Sequence, residues 1–395
     1  MQNSQTSYMK MTNTELDEKI PVIKIAFLDV GQGDTIVISC PETHEAIVID
    51  CVDAKVVLNY LKQEQITHLR GIIISHLHAD HYAGVAALLN NYHLVPNMQE
   101  CEVLACNEIS KQRNLQKLSP DADEHSSTYE QPSVGGKKLS PTSLANLVVW
   151  CKQHKLKCAE IKVERRSLPF EGTLAKSLHL LHPYHADYNE LKNKGLNNTS
   201  VVLHITGPGS SALLTGDIEP EGWQQLQINH PDIQSDILKF PHHGAWKDAD
   251  VGELLDNIQP AIVIISVGTE GYKYKHPHEH VFTALFKRPH IRVLCTQATD
   301  QCQESVLKLR NTVVQQLKVQ ADKNGYPVIG SKQGCPCAGT VIIELGDKAS
   351  VLQPEVNFHR KIIIDNHFKM HQCNIKYSSQ VSPVKAIQVQ QTVDE

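Results

Sequence analysis

Apolar residues in this chain gather into short strand-sized runs, most of them stopped by glycine, proline, histidine or an acid. Pro21–Val30 alternates, breaks at Gly31-Gln32-Gly33-Asp34 and resumes as Thr35–Ser39. That pattern predicts a hairpin whose glycines supply positive φ, with Asp29 and Asp34 fixing the turn. Ala46–Asp50 predicts a strand ending on an acid, and Val56–Lys62 a short helix. Ile66–Ile74 follows, and its last four residues, Gly71-Ile72-Ile73-Ile74, form the unbroken run of a strand covered on both faces.

The pattern weakens from Asn90 to about Leu180. Glu102–Ala105 predicts a strand, the polar stretch 110–138 an insertion, and Ser140–His154 a helix with Ser140 as cap and Pro141 in its first turn. Beyond it, strands are expected at Ser177–Leu181, Asn197–Ile205, Ser211–Thr215, Asp236–Phe240, Ile262–Ser266, Ile291–Thr296 and Val341–Leu345. Helices are expected at Glu221–Leu226, Pro277–Phe286 and Gln303–Gln320. No period is visible from Lys348 onward. The resulting division is a mobile segment 1–20, one domain over 21–350 with an insertion at about 90–170, and a C-terminal extension 351–395.

Composition narrows the class. With 41% hydrophobic residues the chain can bury a sizeable core, while 5% aromatics argue against a broad base-stacking platform. A formal charge of -5 excludes a wholly basic nucleic-acid binder and leaves room for a local basic patch. Its 11 cysteines show no zinc-knuckle or disulfide spacing and predict reduced thiols. No run approaches the roughly 20 apolar residues a membrane span needs, and the first residues lack the apolar core of a secretion signal. A cytoplasmic protein without membrane contact is the expectation.

The chemistry gathers where apolar strands stop. Ser75-His76-Leu77-His78-Ala79-Asp80-His81 follows the buried run, and a strand end opening into a loop is where α/β sheets place ligands. His76 and His78 are two apart, so an extended backbone points both at one metal. Asp80 and His81 lie where the chain turns into a helix and could serve a second. Imidazole and carboxylate donors suit zinc, manganese or iron. Asp217 follows Gly216 at another strand end and is the natural carboxylate to bridge two cations. Pro241-His242-His243-Gly244 ends a third strand, and His276 a later loop.

Taken together, DVGQGD (29–34), SHLHADH (75–81), NNTS (197–200), TGD (215–217), PHHG (241–244) and HP (276–277) resemble the metallo-β-lactamase fold, and more narrowly the soluble domain of the DNA-uptake competence protein ComEC. The Cys-Ala-Gly-Thr segment ending at Thr340 is similar to self-standing members of that branch. The resemblance does not reach ComEC's membrane channel portion, so it implies no transport role. It implies an α/β fold, a four-layer αββα sandwich with metals at the edge between two sheets. His76 and His78 would bind one ion; Asp80, His81 and His242 the second; Asp217 would be shared. The wider superfamily has a further histidine where this chain has Asn197 or Asn198, which implies a loosely held first ion unless His182 swings in. Ala245 replaces a usual serine, and Cys51-Val52 a usual glycine.

The expected function is a phosphodiester hydrolase, a DNA nuclease using a hydroxide held by two divalent ions, zinc or manganese. Asp80 would orient the nucleophile, and His276 or His243 would protonate the leaving oxygen. Asn197, Ser200, Lys273 and Lys275 are the candidate substrate contacts. A hydrolase of a small ester, lactone or cyclic nucleotide keeps the same site. A metal-stabilised binding or signalling module without turnover is a third reading. The chain leaves its oligomeric state open, as it does a protein partner from a shared operon.

Overall fold

The structure, a computed structural model, describes residues 20–92, 101–106, 133–134, 137–138, 147, 151, 155–159, 161, 168–247, 250–269, 275–299, 334 and 337–353. The leading segment 1–19, most of the expected helix 140–154, the expected helix 303–320 and the tail 354–395 lie outside them.

The chain forms β1 (Ile23–Phe27), β2 (Ile36–Cys40), β3 (Glu45–Ile49), β4 (His68–Ile74) and β5 (Val103–Cys106), then a two-strand ribbon of β6 (Ser133–Val134) and β7 (Lys137–Lys138). There follow β8 (Lys157–Ala159), β9 (Leu178–His182), β10 (Val202–Thr206), β11 (Ser211–Leu214), β12 (Ile237–Lys239), β13 (Ile262–Ile265), β14 (Arg292–Cys295), β15 (Val341–Leu345) and β16 (Ala349–Gln353). One sheet runs β16-β15-β1-β2-β3-β4-β5-β8 and the other β14-β13-β12-β11-β10-β9. β5 and β8 thus place both ends of the expected insertion inside the main sheet. β16 pairs with β15 across the boundary expected at 351.

Alternation along the strands builds the layers. Ile23, Ile25 and Phe27 of β1 meet Leu203, Ile205, Ile237 and Ile264 between the sheets. The other face of the first sheet, with Ala26, Val37 and Val48, packs on Val57, Tyr60 and Leu88 of helices Ala54–Gln63 and Val85–Tyr92. The outer face of the second sheet, with Leu213, Leu238 and Val263, is covered by helices Pro220–Asn229, Val251–Ile258 and Glu279–Phe286. Each helix lays an apolar stripe on its sheet, and the result is the expected αββα sandwich.

Parallel pairing aligns strand ends. β3, β4 and β5 are parallel in the first sheet, and β11 to β14 in the second. The Val201 N–H donates to the Ser75 carbonyl at 3.0 Å, joining the sheets where β4 stops. Asn197–Thr199, expected as the start of a strand, lies instead in a single tight helical turn, with β10 beginning at Val202.

Candidate metal centre

β4 delivers Ser75 and His76 into a buried edge between the sheets, and a short helix, Ala79–Tyr82, starts after His78. His76 Nε2 and His78 Nδ1 are 3.0 Å apart. Two imidazoles on one tetrahedral ion would hold their nitrogens roughly 3.3 Å apart, so the pair is set for a shared cation. Burial and neighbouring imidazoles push both below the usual histidine range, leaving neutral rings, the form that ligates.

His81 is fully buried between two acids. Its Nδ1 lies 2.7 Å from Asp50 Oδ2 and its Nε2 3.1 Å from Asp217 Oδ2. Burial opposes its charge, but Asp217 and Asp50 outweigh that and hold it well above the ordinary value. Asp50 also accepts from the Ser75 backbone N–H and hydroxyl, both at 2.7 Å. It directly follows β3, as the first sheet's counterpart of Asp217.

Asp217 follows Gly216, whose φ of +53° turns the chain inward after β11. Its N–H donates to Ser200 Oγ at 3.0 Å. Oδ2 faces His81 and, at 3.2 Å, His243 Nε2; Oδ1 lies 3.4 Å from Lys239 Nζ. Burial alone would favour the protonated acid. His243, His81 and Lys239 instead hold it well below the carboxylate range.

His242 and His243 both take left-handed backbone, at φ +46° and +54°, which turns the two rings apart. The buried His243 donates Nδ1–H to the Ser266 carbonyl at 2.8 Å, leaving Nε2 toward Asp217 and, at 3.8 Å, Asp80. His242 sits at the rim with its side chain one-fifth exposed, Nδ1 3.3 Å from Glu219 Oε1 and Nε2 3.9 Å from Asp217. Of the pair it is therefore His243, where His242 was expected, that lies among the candidate ligand atoms, while His242 lies at the rim.

Donor atoms of Asp80, His81, Asp217 and His243 all lie within 4.8 Å of one another, and so do those of Asp34, Asp50 and His81. This set of imidazole nitrogens and carboxylate oxygens, three of the first four buried, fits one divalent ion, with His76 and His78 facing a second position.

Other expected residues fall elsewhere. Ser200 is buried and holds Asp217, so it presents nothing to a substrate. Asn197 Nδ2 donates to Glu219 at 3.0 Å and lies 3.4 Å from His242. His276 stands beside His242 with ring centres 5.5 Å apart, and burial, with neighbouring imidazoles, pushes it down to about 3. A ring held neutral that firmly is a poor proton source near neutral pH. His182 donates Nδ1–H to the Ser200 carbonyl at 2.8 Å and is held neutral by burial at about 4. Lys275 is exposed, and Lys273 lies outside the described residues.

Sequence reading missed Asp50, Ser75, Lys239 and Glu219, and took Asp34 for a turn residue. Asp34 is buried and ion-pairs with Lys239. The available signals were an acid closing β3, a serine ahead of the histidines and a lysine closing an apolar strand.

Among the described residues no helix is long and apolar enough to cross a membrane. Residues 28–96 match the metallo-beta-lactamase superfamily. The chain is 27% identical over 292 residues to ComE operon protein 3 of Bacillus subtilis (strain 168), a match covering 69% of this chain and 32% of that protein. It is 32% identical over 94 residues to competence protein ComA of Neisseria gonorrhoeae, covering 24% and 13%. The chain thus spans about a third or less of these relatives. Among solved structures it is similar to the short form of human tRNase Z (TM-score 0.32, 13% identity, covering 61% of this chain and 91% of that one). It is also similar to Igni18, a metallo hydrolase of Ignicoccus hospitalis (TM-score 0.35, 12% identity, 69% and 94%). With the two-sheet sandwich and the histidine-rich end of β4, these matches give the chain a metallo-β-lactamase fold and a likeness to ComE operon protein 3.

Proposed function

We propose that this chain is a metal-dependent phosphodiester hydrolase with DNA as its substrate. The carrying observation is the convergence of Asp80, His81, Asp217 and His243 donor atoms within 4.8 Å at the strand ends, next to the paired His76 and His78. The likeness to competence proteins supports DNA as the polymer. Asp80, His81, Asp217 and His243 would hold one divalent ion and His76, His78 and Asp217 the other. Such ions acidify water and stabilise charge on a phosphoryl oxygen.

The protein's own part is orientation and proton transfer. Asp50 and Ser266 fix which nitrogen His81 and His243 present. His242, beside Glu219 at the rim, would protonate the leaving oxygen.

A small-ester or cyclic-nucleotide substrate has one observation in its favour. A cavity of ≈ 450 Å³ adjoins His242 through Glu219, and its wall includes Glu221, Asp250 and Glu253. Its size suits a small molecule and its acidity does not favour a polyanion. Plasmid, single-stranded DNA, RNA, a generic phosphodiester and carboxyl esters, each with manganese or zinc, separate the two. Cleavage of DNA by the wild type and its loss in Asp217→Ala is the expected result. Turnover of carboxyl esters alone would overturn the nuclease reading.

A further inference from the structure

Lys239 is the last residue of β12, and its side chain is fully buried between the sheets. Strand alternation puts it on the same side as Ile237, the inter-sheet side, in a layer built largely of apolar residues such as Leu203, Ile205, Leu214 and Ile264. Its ammonium ion-pairs with Asp34, lies 3.4 Å from Asp217 Oδ1 and donates to the Gly216 carbonyl at 2.7 Å. The Gly216 carbonyl and Asp217 accept hydrogen bonds from it and Asp34 supplies an ion pair, so the group is held away from solvent. Among the described residues it is the one lysine or arginine that ion-pairs with Asp34 or Asp217. Burying an ammonium costs several kcal/mol, and an apolar side chain of similar length would fill the space more cheaply. Packing therefore does not account for a lysine here; the charge does.

We propose that Lys239 is a resident cation of the metal centre: it offsets the charge of Asp34 and Asp217 and so weakens the hold of the centre on divalent ions. It also engages Asp217 Oδ1, leaving Oδ2 as the oxygen turned to His81 and His243. A unit charge against a divalent ion at such separations is strong enough to change affinity by about tenfold or more. The inference rests on the reading that a divalent ion binds among Asp80, His81, Asp217 and His243.

Manganese affinity of the full chain, measured by competition with a fluorescent chelator, tests it. Lys239→Met is expected to bind about tenfold tighter, Asp34→Asn about tenfold weaker, and the double variant within about threefold of wild type. Affinity unchanged or weakened in a Lys239→Met protein with wild-type near-UV circular dichroism would overturn the proposal. Should that variant not fold, the double variant is compared with Asp34→Asn, because there the loss of Lys239 orphans no Asp34 carboxylate. A double variant about tenfold tighter than Asp34→Asn supports the proposal, and equal affinity sinks it. A wild type that binds neither manganese nor zinc defeats the metal-centre reading and this inference with it; a wild type that binds while the variants do not differ defeats the inference alone.

Discussion

Asp50 Oδ2 lies 2.7 Å from His81 Nδ1, on the side of the ring opposite Asp217. A carboxylate there fixes the ring's tautomer and rotation and makes Nε2 a stronger donor. Asp50→Asn keeps the shape and removes the charge. Metal affinity is expected to fall about 10- to 100-fold with the fold retained, as read by elemental analysis after dialysis and by circular dichroism. Unchanged metal content would show that Asp50 braces only the backbone of Ser75.

Gly33 explains why the turn after β1 reads GQGD. It has φ +117°, and a Cβ there would lie 2.2 Å from the Asp80 carbonyl oxygen, while the next residue, Asp34, donates its N–H to that same oxygen at 3.1 Å. The turn is a strut under the Asp80 loop. Gly33→Ala is expected to cost roughly 2–3 kcal/mol and to lower metal affinity as Asp80 shifts. At Gly31, with φ +83° and open space around a Cβ, alanine meets backbone strain alone, roughly 1 kcal/mol. Urea titrations of both variants check the contrast.

Asp29 is buried, and burial raises its carboxyl to about 7, offset in part by hydrogen bonds from Gln297 and Gly31. Its ordinary value is 3.8, so between the two the native state binds more protons than the unfolded chain. Stability from this group is therefore full below about pH 4 and is lost as pH rises toward 7. Asp29→Asn keeps an acceptor for the Gln297 amide. It is expected to gain on the order of 3 kcal/mol over wild type at pH 8 and almost nothing at pH 4. Denaturant midpoints at the two pH values measure it, and a gain equal at both would place the ionised carboxylate outside the account.

The strands and layers were legible because β1 to β4 and β9 to β13 are short apolar runs cut by glycine, proline or acids, and the ends of such runs are where ligands sit. The histidines after β4 announced the centre by spacing alone. What braces the centre was not legible. Asp50 and Asp217 lie on different sheets, and nothing in the local pattern says that His81 stands between them. Lys239 reads as the polar end of a strand until the other sheet closes over it and supplies Asp34. The order within His242-His243 was hidden for another reason. Residues in ordinary extended or helical backbone point predictably, but two successive left-handed residues do not.

That last reversal yields the sharpest test of the site. His243 is buried, with Nδ1 tied to Ser266 and Nε2 3.2 Å from Asp217, so on the proposed reading its removal deletes a ligand. His243→Ala is expected to lose metal about 100-fold and activity with it. His242 reaches Asp217 only at 3.9 Å and spends Nδ1 on Glu219, so its removal leaves the ligand cluster standing. His242→Ala is expected to keep metal affinity within about threefold while phosphodiester turnover falls about 100-fold, as loss of a general acid requires. A leaving group that needs no protonation separates the roles further: on a nitrophenyl phosphodiester His242→Ala regains most of its rate and His243→Ala does not. If the metal were lost from His242→Ala and kept by His243→Ala, the two residues would have to be exchanged again, and the left-handed turn at β12 would not orient the rings as described.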